Sequence, residues 1–265
     1  MAERLNVRNL TGSAPRFAIV HDTGGPKLVL GVLWAATLLG AAAVGVGVLS
    51  AVVLVPVGAL AGLQVANAWA SVEFTDRCGA SLAGAALAMS GTLGVAALGA
   101  GVLAVTVALF IYSLVVPIPR QSTRIRTSEL LILSSMPAGL AAGSLVALAV
   151  EWPQAFVSLV VLVSAYETGD FLVGSGETGR GSSQIAGMVA GLSALVLVAT
   201  TLFFLLPYPF TTDNLPGYAL AAAAGAPFGQ ACASALLPAT SLGASPALLR
   251  LDSYLLVAPV WLIVL

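Results

Sequence analysis

The chain has 265 residues, of which 59% are hydrophobic and only 8% are charged, and its mean hydropathy is +1.03. Soluble domains carry about 25% charged residues, and a soluble fold of this size could not bury so much apolar surface. The composition therefore excludes a soluble protein and predicts an all-α, polytopic integral membrane bundle. The net charge of −1 favours no class of partner.

The N-terminal segment 1–27 is predicted to be a cytoplasmic tail, because it is too long and too charged for a signal peptide. Two cysteines, Cys78 and Cys232, lie far apart and form no C-x-x-C pair. Neither a zinc site nor a disulfide framework is therefore indicated.

About 20 consecutive apolar residues are needed to cross a bilayer as a helix, and the sequence predicts about nine such spans. The apolar run 28–70 is divided into two spans near Ser50, and the apolar run 80–118 is divided into two spans near Gly99. The small-residue stretches LGAAAVGVG and AALGAG are typical of close helix packing. The spans form an N-terminal region, 28–150, and a C-terminal region, 151–265. They are predicted at 28–48, 50–70, 80–98, 100–118, 130–150, 153–174, 185–207, 217–238 and 252–265.

Positive charges predict the orientation of these spans. With a cytoplasmic N-terminus, all ten Lys and Arg residues fall on inner segments, and the outer loops carry only Glu151 and Asp213. Since Lys and Arg are retained on the cytoplasmic side, this distribution supports nine spans in an inner or plasma membrane. The ten residues are Arg4, Arg8, Arg16, Lys27, Arg77, Arg120, Arg124, Arg126, Arg180 and Arg250.

Two acids, Glu167 and Asp170, end the sixth predicted span in the stretch SAYETGDFLVG. They are three residues apart and so share one helix face. A charge at the bilayer centre costs roughly 2.5–3.5 kcal/mol, and two adjacent acids repel unless a cation or a proton relieves them. The pair predicts a metal or cation site open to the cytoplasm, and a solvated helix end is the alternative.

The loop that follows these acids spells G-x-G-x-x-G at Gly174, Gly176 and Gly179. A dinucleotide fingerprint requires a strand before it and a helix after it, whereas predicted spans flank this loop, so no Rossmann site is expected. Free backbone N–H groups at the start of the seventh span, together with Arg180, are suited to hold a phosphate. A solvated glycine turn fits the sequence equally well.

A second polar segment, LLRLDSYLLVAPVW, begins the last predicted span with Arg250, Asp252 and Ser253. Asp252 is either a helix N-cap or a third carboxylate on the same side of the membrane as Glu167 and Asp170. Carboxylates converging from two spans are what a magnesium-assisted phosphoryl reaction needs.

Together the two polar segments resemble the phosphatidate cytidylyltransferase (CDP-diacylglycerol synthase) family, whose fold is a bundle of about nine spans. ETGDFLVG is similar to the family's Asp-x-x-Ala-Tyr-Phe-x-Gly stretch, with Glu167 at its Asp. FGQACASALLP is similar to the start of the closing family signature, with Ser234 at its Ser. LRLDS is similar to the end of that signature, with Arg250, Asp252 and Ser253 matching.

The resemblance implies attack of a phosphatidate phosphate on the α-phosphorus of CTP, with release of pyrophosphate and assistance by Mg²⁺. Membrane lipid, as phosphatidate or another anionic lipid, and CTP would be the partners, without nucleic acid, and a homodimer is left open. The predicted Mg²⁺ ligands are Glu167, Asp170 and Asp252. The predicted catalytic residues are Asp170, Asp252 and Arg180, and the predicted substrate-binding residues are Arg180, Ser234, Arg250 and Ser253. Asp170 is predicted from the acid pair and Arg180 from the glycine loop, and neither matches a family motif.

Several family residues have no counterpart in this chain. Leu249 stands at the family's Asp, and the Lys-Arg, Lys-Asp and Gly-His-Gly-Gly elements are absent, because Lys27 is the only lysine and His21 the only histidine. We therefore expect Mg²⁺ binding to outlast cytidylyl transfer. The alternatives are a non-catalytic relative that binds anionic lipid, and a small-solute or ion transporter in which the same acids form a cation site.

Overall fold

The computed structural model describes residues 27–44, 47–69, 73–115, 124–174, 184–238 and 245–265. These ranges contain ten α-helices and no strand. Helices α1 to α5 are Lys27–Ala43, Gly47–Ala68, Phe74–Ser90, Val95–Val115 and Arg124–Glu151. Helices α6 to α10 are Pro153–Gly174, Gln184–Leu205, Leu215–Leu236, Pro246–Leu249 and Tyr254–Val264.

Apolar helices make this an all-α membrane protein, as the composition predicted. Each predicted span lies mainly on one helix, but 28–48 reaches into α2 and 80–98 reaches into α4. Ser50, where we divided the first apolar run, lies inside α2. Among the described residues, six helices are long and apolar enough to cross a bilayer, namely α2 and α4 to α8. The apolar parts of α1 and α10 are shorter, and α3 has 17 residues. The number of helices that meet this criterion is therefore six and not nine.

The break between α3 and α4 lies earlier than predicted. A 3₁₀ turn at Gly91–Leu93 leads to Gly94, whose φ of 94° favours glycine. The backbone N–H of Val95 then donates to Glu151 Oε1 at 2.9 Å, so a side chain at the end of α5 satisfies the start of α4. The predicted division at Gly99 is wrong, because that residue lies inside α4.

Helix α5 is the centre of the bundle. In its most apolar stretch 67% is buried inside the bundle, whereas the corresponding share is 11% in both α4 and α7. It packs against α2, α3, α4, α6 and α10. Helices α4 and α7 lie outside and expose large apolar side chains such as Leu103, Phe110, Ile185 and Leu197. In a bilayer such side chains contact lipid tails, which are as apolar as leucine.

Glycines allow the closest helix approaches in the bundle. A Cβ added at Gly84 would lie 2.6 Å from the carbonyl oxygen of Gly58, and one at Gly143 would lie 2.6 Å from a backbone oxygen of α3. Helices α2, α3 and α5 therefore pack backbone to backbone, as expected where no hydrophobic effect drives helices together. The predicted packing stretches are confirmed in part. A Cβ added at Gly47 would lie 2.6 Å from the Val150 side chain, and one at Gly101 would lie 2.6 Å from Ser90 Oγ. A Cβ at Gly40 or Gly99 would meet nothing within 4 Å.

Candidate functional site

One cavity of about 360 Å³ lies where α1, α6, α8 and the segment before α10 meet. Glu167, Asp170 and Asp252 all line it, together with Arg250 and Gln230. The structure therefore brings the two polar segments of the sequence to one cavity, although Asp170 and Asp252 are 82 positions apart in the chain.

The walls of this cavity differ in polarity. Helix α1 contributes an apolar wall that includes Gly31, Ala35 and Leu39, and Val32 of this wall is 57% exposed at the outer surface of the bundle. Helix α6 contributes hydroxyl groups and carboxylates to the facing wall. An amphipathic ligand is the kind of molecule that matches one apolar and one polar wall.

Glu167 carries an unsatisfied atom into this cavity. Its Oε1 is buried and has no hydrogen-bond partner. Arg250 lies close enough to interact electrostatically with both Glu167 and Asp252, and a Cβ added at Gly31 would lie 3.5 Å from the Arg250 guanidinium. Buried polar atoms almost always have a partner, so an orphaned carboxylate oxygen marks a position for a ligand, an ion or a proton.

Asp252 is held by the residue that follows it. Its Oδ1 accepts a hydrogen bond from the backbone N–H of Ser253 at 2.6 Å and from the Ser253 hydroxyl at 3.3 Å. The side chain of Asp252 is 4% exposed. The N-cap residue of α10 is Ser253, without a side-chain capping bond. The alternative that Asp252 serves as an N-cap is therefore wrong.

Two contacts fix the segment that carries Asp252 onto the bundle. The Gln64 side chain of α2 accepts a hydrogen bond from the backbone N–H of Ala247 at 3.0 Å, at the start of α9. In α8, a Cβ added at Gly229 would overlap the carbonyl oxygen of Asp252. Backbone packs directly on backbone at this point, so α8 determines the position of Asp252.

Asp170 lines the cavity but also packs against α7. A Cβ added at Gly187 would lie 2.5 Å from Asp170 Oδ1, so this oxygen lies beside the first turn of α7. The free N–H groups of a helix start attract a negative charge. Within the described ranges, no three His, Cys, Asp or Glu side chains are placed to hold one metal ion. Glu167, Asp170 and Asp252 therefore line one cavity without forming such a group, and their role as ligands stays a prediction.

The remaining predicted site residues have different surroundings. The Ser234 hydroxyl donates to the carbonyl oxygen of Gln230 at 3.0 Å and is not among the described residues that line the cavity. Ser253 is fully buried beside Asp252. Arg180 and the glycine loop from residue 175 to residue 183 lie outside the described residues.

Sequence reasoning missed Gln230 and the small residues of α1. Gln230 is a polar amide within the apolar helix α8 and is 9% exposed. An amide in a membrane helix usually faces the bundle interior and bonds across helices, and this signal could have identified it. The α1 wall carries no comparable signal, because glycine and alanine are frequent in most of the long helices that the structure describes.

Comparison with known proteins adds no relative to these observations. No protein-family model matches the chain, and no curated protein or solved structure matches it either.

Proposed function

We propose that this chain is a divergent phosphatidate cytidylyltransferase-like membrane protein whose cavity binds the phosphate group of an anionic lipid together with Mg²⁺. The observation that carries the proposal is the buried, unpartnered Oε1 of Glu167, in a cavity that also contains Asp252 and Arg250. A carboxylate oxygen without a partner lacks what a cation would supply.

The donor set fits Mg²⁺ in its common protein setting. Mg²⁺ usually takes one or two carboxylates, keeps several waters and completes its shell with substrate phosphate oxygens, so a three-carboxylate cage is not required. Glu167 and Asp252 would be those carboxylates, and Arg250 would bind phosphate oxygens, for which a guanidinium is well shaped. When bound, the ion would offset the negative charge that two carboxylates and a phosphate bring together.

The contrast between the two walls supports a lipid as the molecule whose phosphate group binds in the cavity. The phosphate group of a lipid would lie at the polar wall of α6, and its glycerol and upper acyl chain would lie along Gly31, Ala35 and Leu39 of α1. A free nucleotide has no apolar part that would match the α1 wall. Lipid phosphate is therefore the better match to the whole cavity.

Nucleotidyl transfer needs more positive charge than the described cavity offers. The α-phosphorus of CTP loses pyrophosphate in this reaction, and that leaving group needs cationic support. Arg250 is the cationic side chain among the described residues that line the cavity. We therefore expect lipid and Mg²⁺ binding to persist and cytidylyl transfer to be weak or lost.

The activity test combines purified protein in lipid nanodiscs with phosphatidate, labelled CTP and Mg²⁺. We expect little or no labelled liponucleotide, and any residual product should vanish in Arg180→Ala and in Asp252→Asn. Phosphatidate should still protect the wild-type protein against thermal unfolding in the presence of Mg²⁺, and protection should be lost in Arg250→Ala. Robust turnover that tolerates both substitutions would refute this location of the site, and absence of any phosphatidate protection would refute lipid binding.

The proposed orientation is nine spans with a cytoplasmic N-terminus, in which the three shorter helices α1, α3 and α10 also cross or enter the bilayer. It is supported by the predicted inner location of all ten Lys and Arg residues. In this arrangement the cavity opens towards the cytoplasm, and the protein belongs to the inner or plasma membrane.

Cysteine labelling tests this orientation. In a background with Cys78 and Cys232 replaced by serine, we expect Thr123→Cys and Thr178→Cys to react with an impermeant maleimide only from the cytoplasmic side. Asp213→Cys should react only from outside, because the outer loops lack Lys and Arg. Reaction of Thr123→Cys and Asp213→Cys from the same side would contradict the nine-span topology.

A further inference from the structure

We infer that Gln230 is a positioning residue that orients Asp252 through Ser253. The inference rests on the proposed function, because the orientation of Asp252 matters only if this carboxylate holds a cation. Gln230 would not touch the ion itself.

A continuous hydrogen-bonded path links α6, α8 and the residues before α10. The Tyr166 hydroxyl donates to Gln230 Oε1 at 3.2 Å, and Gln230 Nε2 donates to Ser253 Oγ at 3.4 Å. The Ser253 hydroxyl donates to Asp252 Oδ1 at 3.3 Å. Tyr166 and Ser253 are fully buried, and Gln230 and Asp252 are nearly so. Water therefore competes little for these bonds.

The donor and acceptor chemistry of these groups determines which atom donates each hydrogen bond in the path. An amide nitrogen cannot accept a hydrogen bond, so the Tyr166 hydroxyl bonds to the amide oxygen of Gln230 and the NH₂ group faces Ser253. Ser253 Oγ then accepts from Gln230, so its single hydrogen is directed at the carboxylates, and both Glu167 and Asp252 lie within its reach. In the observed geometry this hydroxyl donates to Asp252 Oδ1. The result is an Asp252 Oδ1 held by two donors of Ser253, the hydroxyl and the backbone N–H.

Backbone packing next to Gln230 reinforces this arrangement. Gly229 approaches the carbonyl oxygens of Asp252 and Ser253 so closely that no side chain fits between them. Gln230 is the next residue of α8, and its side chain bonds to Ser253 beside this backbone contact. Positioning partners of metal-binding carboxylates and histidines typically change metal affinity about 10–100-fold when they are removed.

Mn²⁺ binding, followed by electron paramagnetic resonance of the protein in nanodiscs, provides the test. We expect Gln230→Met, which keeps the length of the side chain but removes both polar groups, to weaken Mn²⁺ binding about 10-fold or more. Ser253→Ala should weaken it similarly, and Gln230→Met combined with Ser253→Ala should be no worse than Ser253→Ala alone. Such non-additivity is the signature of residues that act through one another.

Other outcomes overturn the inference in distinguishable ways. If Gln230→Met lowers the melting temperature but leaves Mn²⁺ affinity unchanged, Gln230 has a structural role only. If the two substitutions are additive, Gln230 acts on the ion independently of Ser253. If the wild-type protein binds no Mn²⁺, both the inference and the proposed function fail. Should Gln230→Met not fold, Gln230→Asn, which keeps the amide but is too short to bridge both partners, serves in its place.

Discussion

Asp252→Asn is expected to weaken Mn²⁺ binding at the cavity about 100-fold or more. Loss of residues that merely orient metal ligands costs about 10–100-fold, so loss of a charged ligand should reach at least the upper end of that range. Glu167→Gln should have an effect of the same size, because its unpartnered Oε1 is the other oxygen proposed to hold the ion. Both substitutions preserve side-chain size and so limit changes in packing.

Two further acids serve as comparisons in the same titration. Asp170→Asn should cause a smaller loss than Asp252→Asn, because one Asp170 oxygen lies beside the first turn of α7. Asp76→Asn should not change Mn²⁺ affinity, since Asp76 accepts a hydrogen bond from Tyr112 at 3.1 Å and does not line the cavity. Equal losses in Asp170→Asn and Asp252→Asn would restore the three-carboxylate site and contradict the proposed pair.

Gly229→Ala is expected to lower the free energy of unfolding by about 1–3 kcal/mol, the usual cost of overpacking a close contact. The added methyl group would overlap the Asp252 carbonyl oxygen, which belongs to the backbone and cannot rotate away. The segment carrying Asp252 must then move, so Mn²⁺ affinity should fall along with stability. Thermal unfolding and Mn²⁺ titration of the same preparation measure the two effects.

Gly217→Ala is the matched control in the same helix. A Cβ at this position would meet nothing within 4 Å, and alanine is a better helix former than glycine by about 1 kcal/mol. The control should therefore be neutral or slightly stabilising, with unchanged Mn²⁺ affinity. If Gly229→Ala is as well tolerated as Gly217→Ala, α8 does not determine the position of Asp252.

The helical membrane fold could be predicted from sequence because the apolar runs are long and charges are rare. That Glu167 and Asp252 line one cavity could be anticipated only in part, since the distribution of Lys and Arg predicts that both acids lie on one side of the membrane. Their arrangement could not be anticipated. The direction of Asp170 towards α7 depends on Gly187, and no periodicity distinguishes this glycine from the others in the chain.

Breaks within continuous apolar sequence were equally hard to locate. The second apolar run contains several glycines, and only the positive φ of Gly94 distinguishes the actual break from the predicted one at Gly99. Likewise, Gln230 has an obvious polar signal within α8, but its partners Tyr166 and Ser253 come from two other helical segments. Such contacts between distant parts of a chain are invisible to local sequence patterns.

The bond between Glu151 and the start of α4 has a consequence for biogenesis. Val95 obtains the acceptor for its N–H group from a residue 56 positions later in the chain, and this bond lies at an exposed position. Water can pair with a helix-start N–H group before α5 has been synthesised, so α4 does not need the bond in order to form. The bond instead ties the start of α4 to the end of the central helix, and it can form only after α5 has been made. This link between the two helix ends is therefore a late step in the assembly of the N-terminal half.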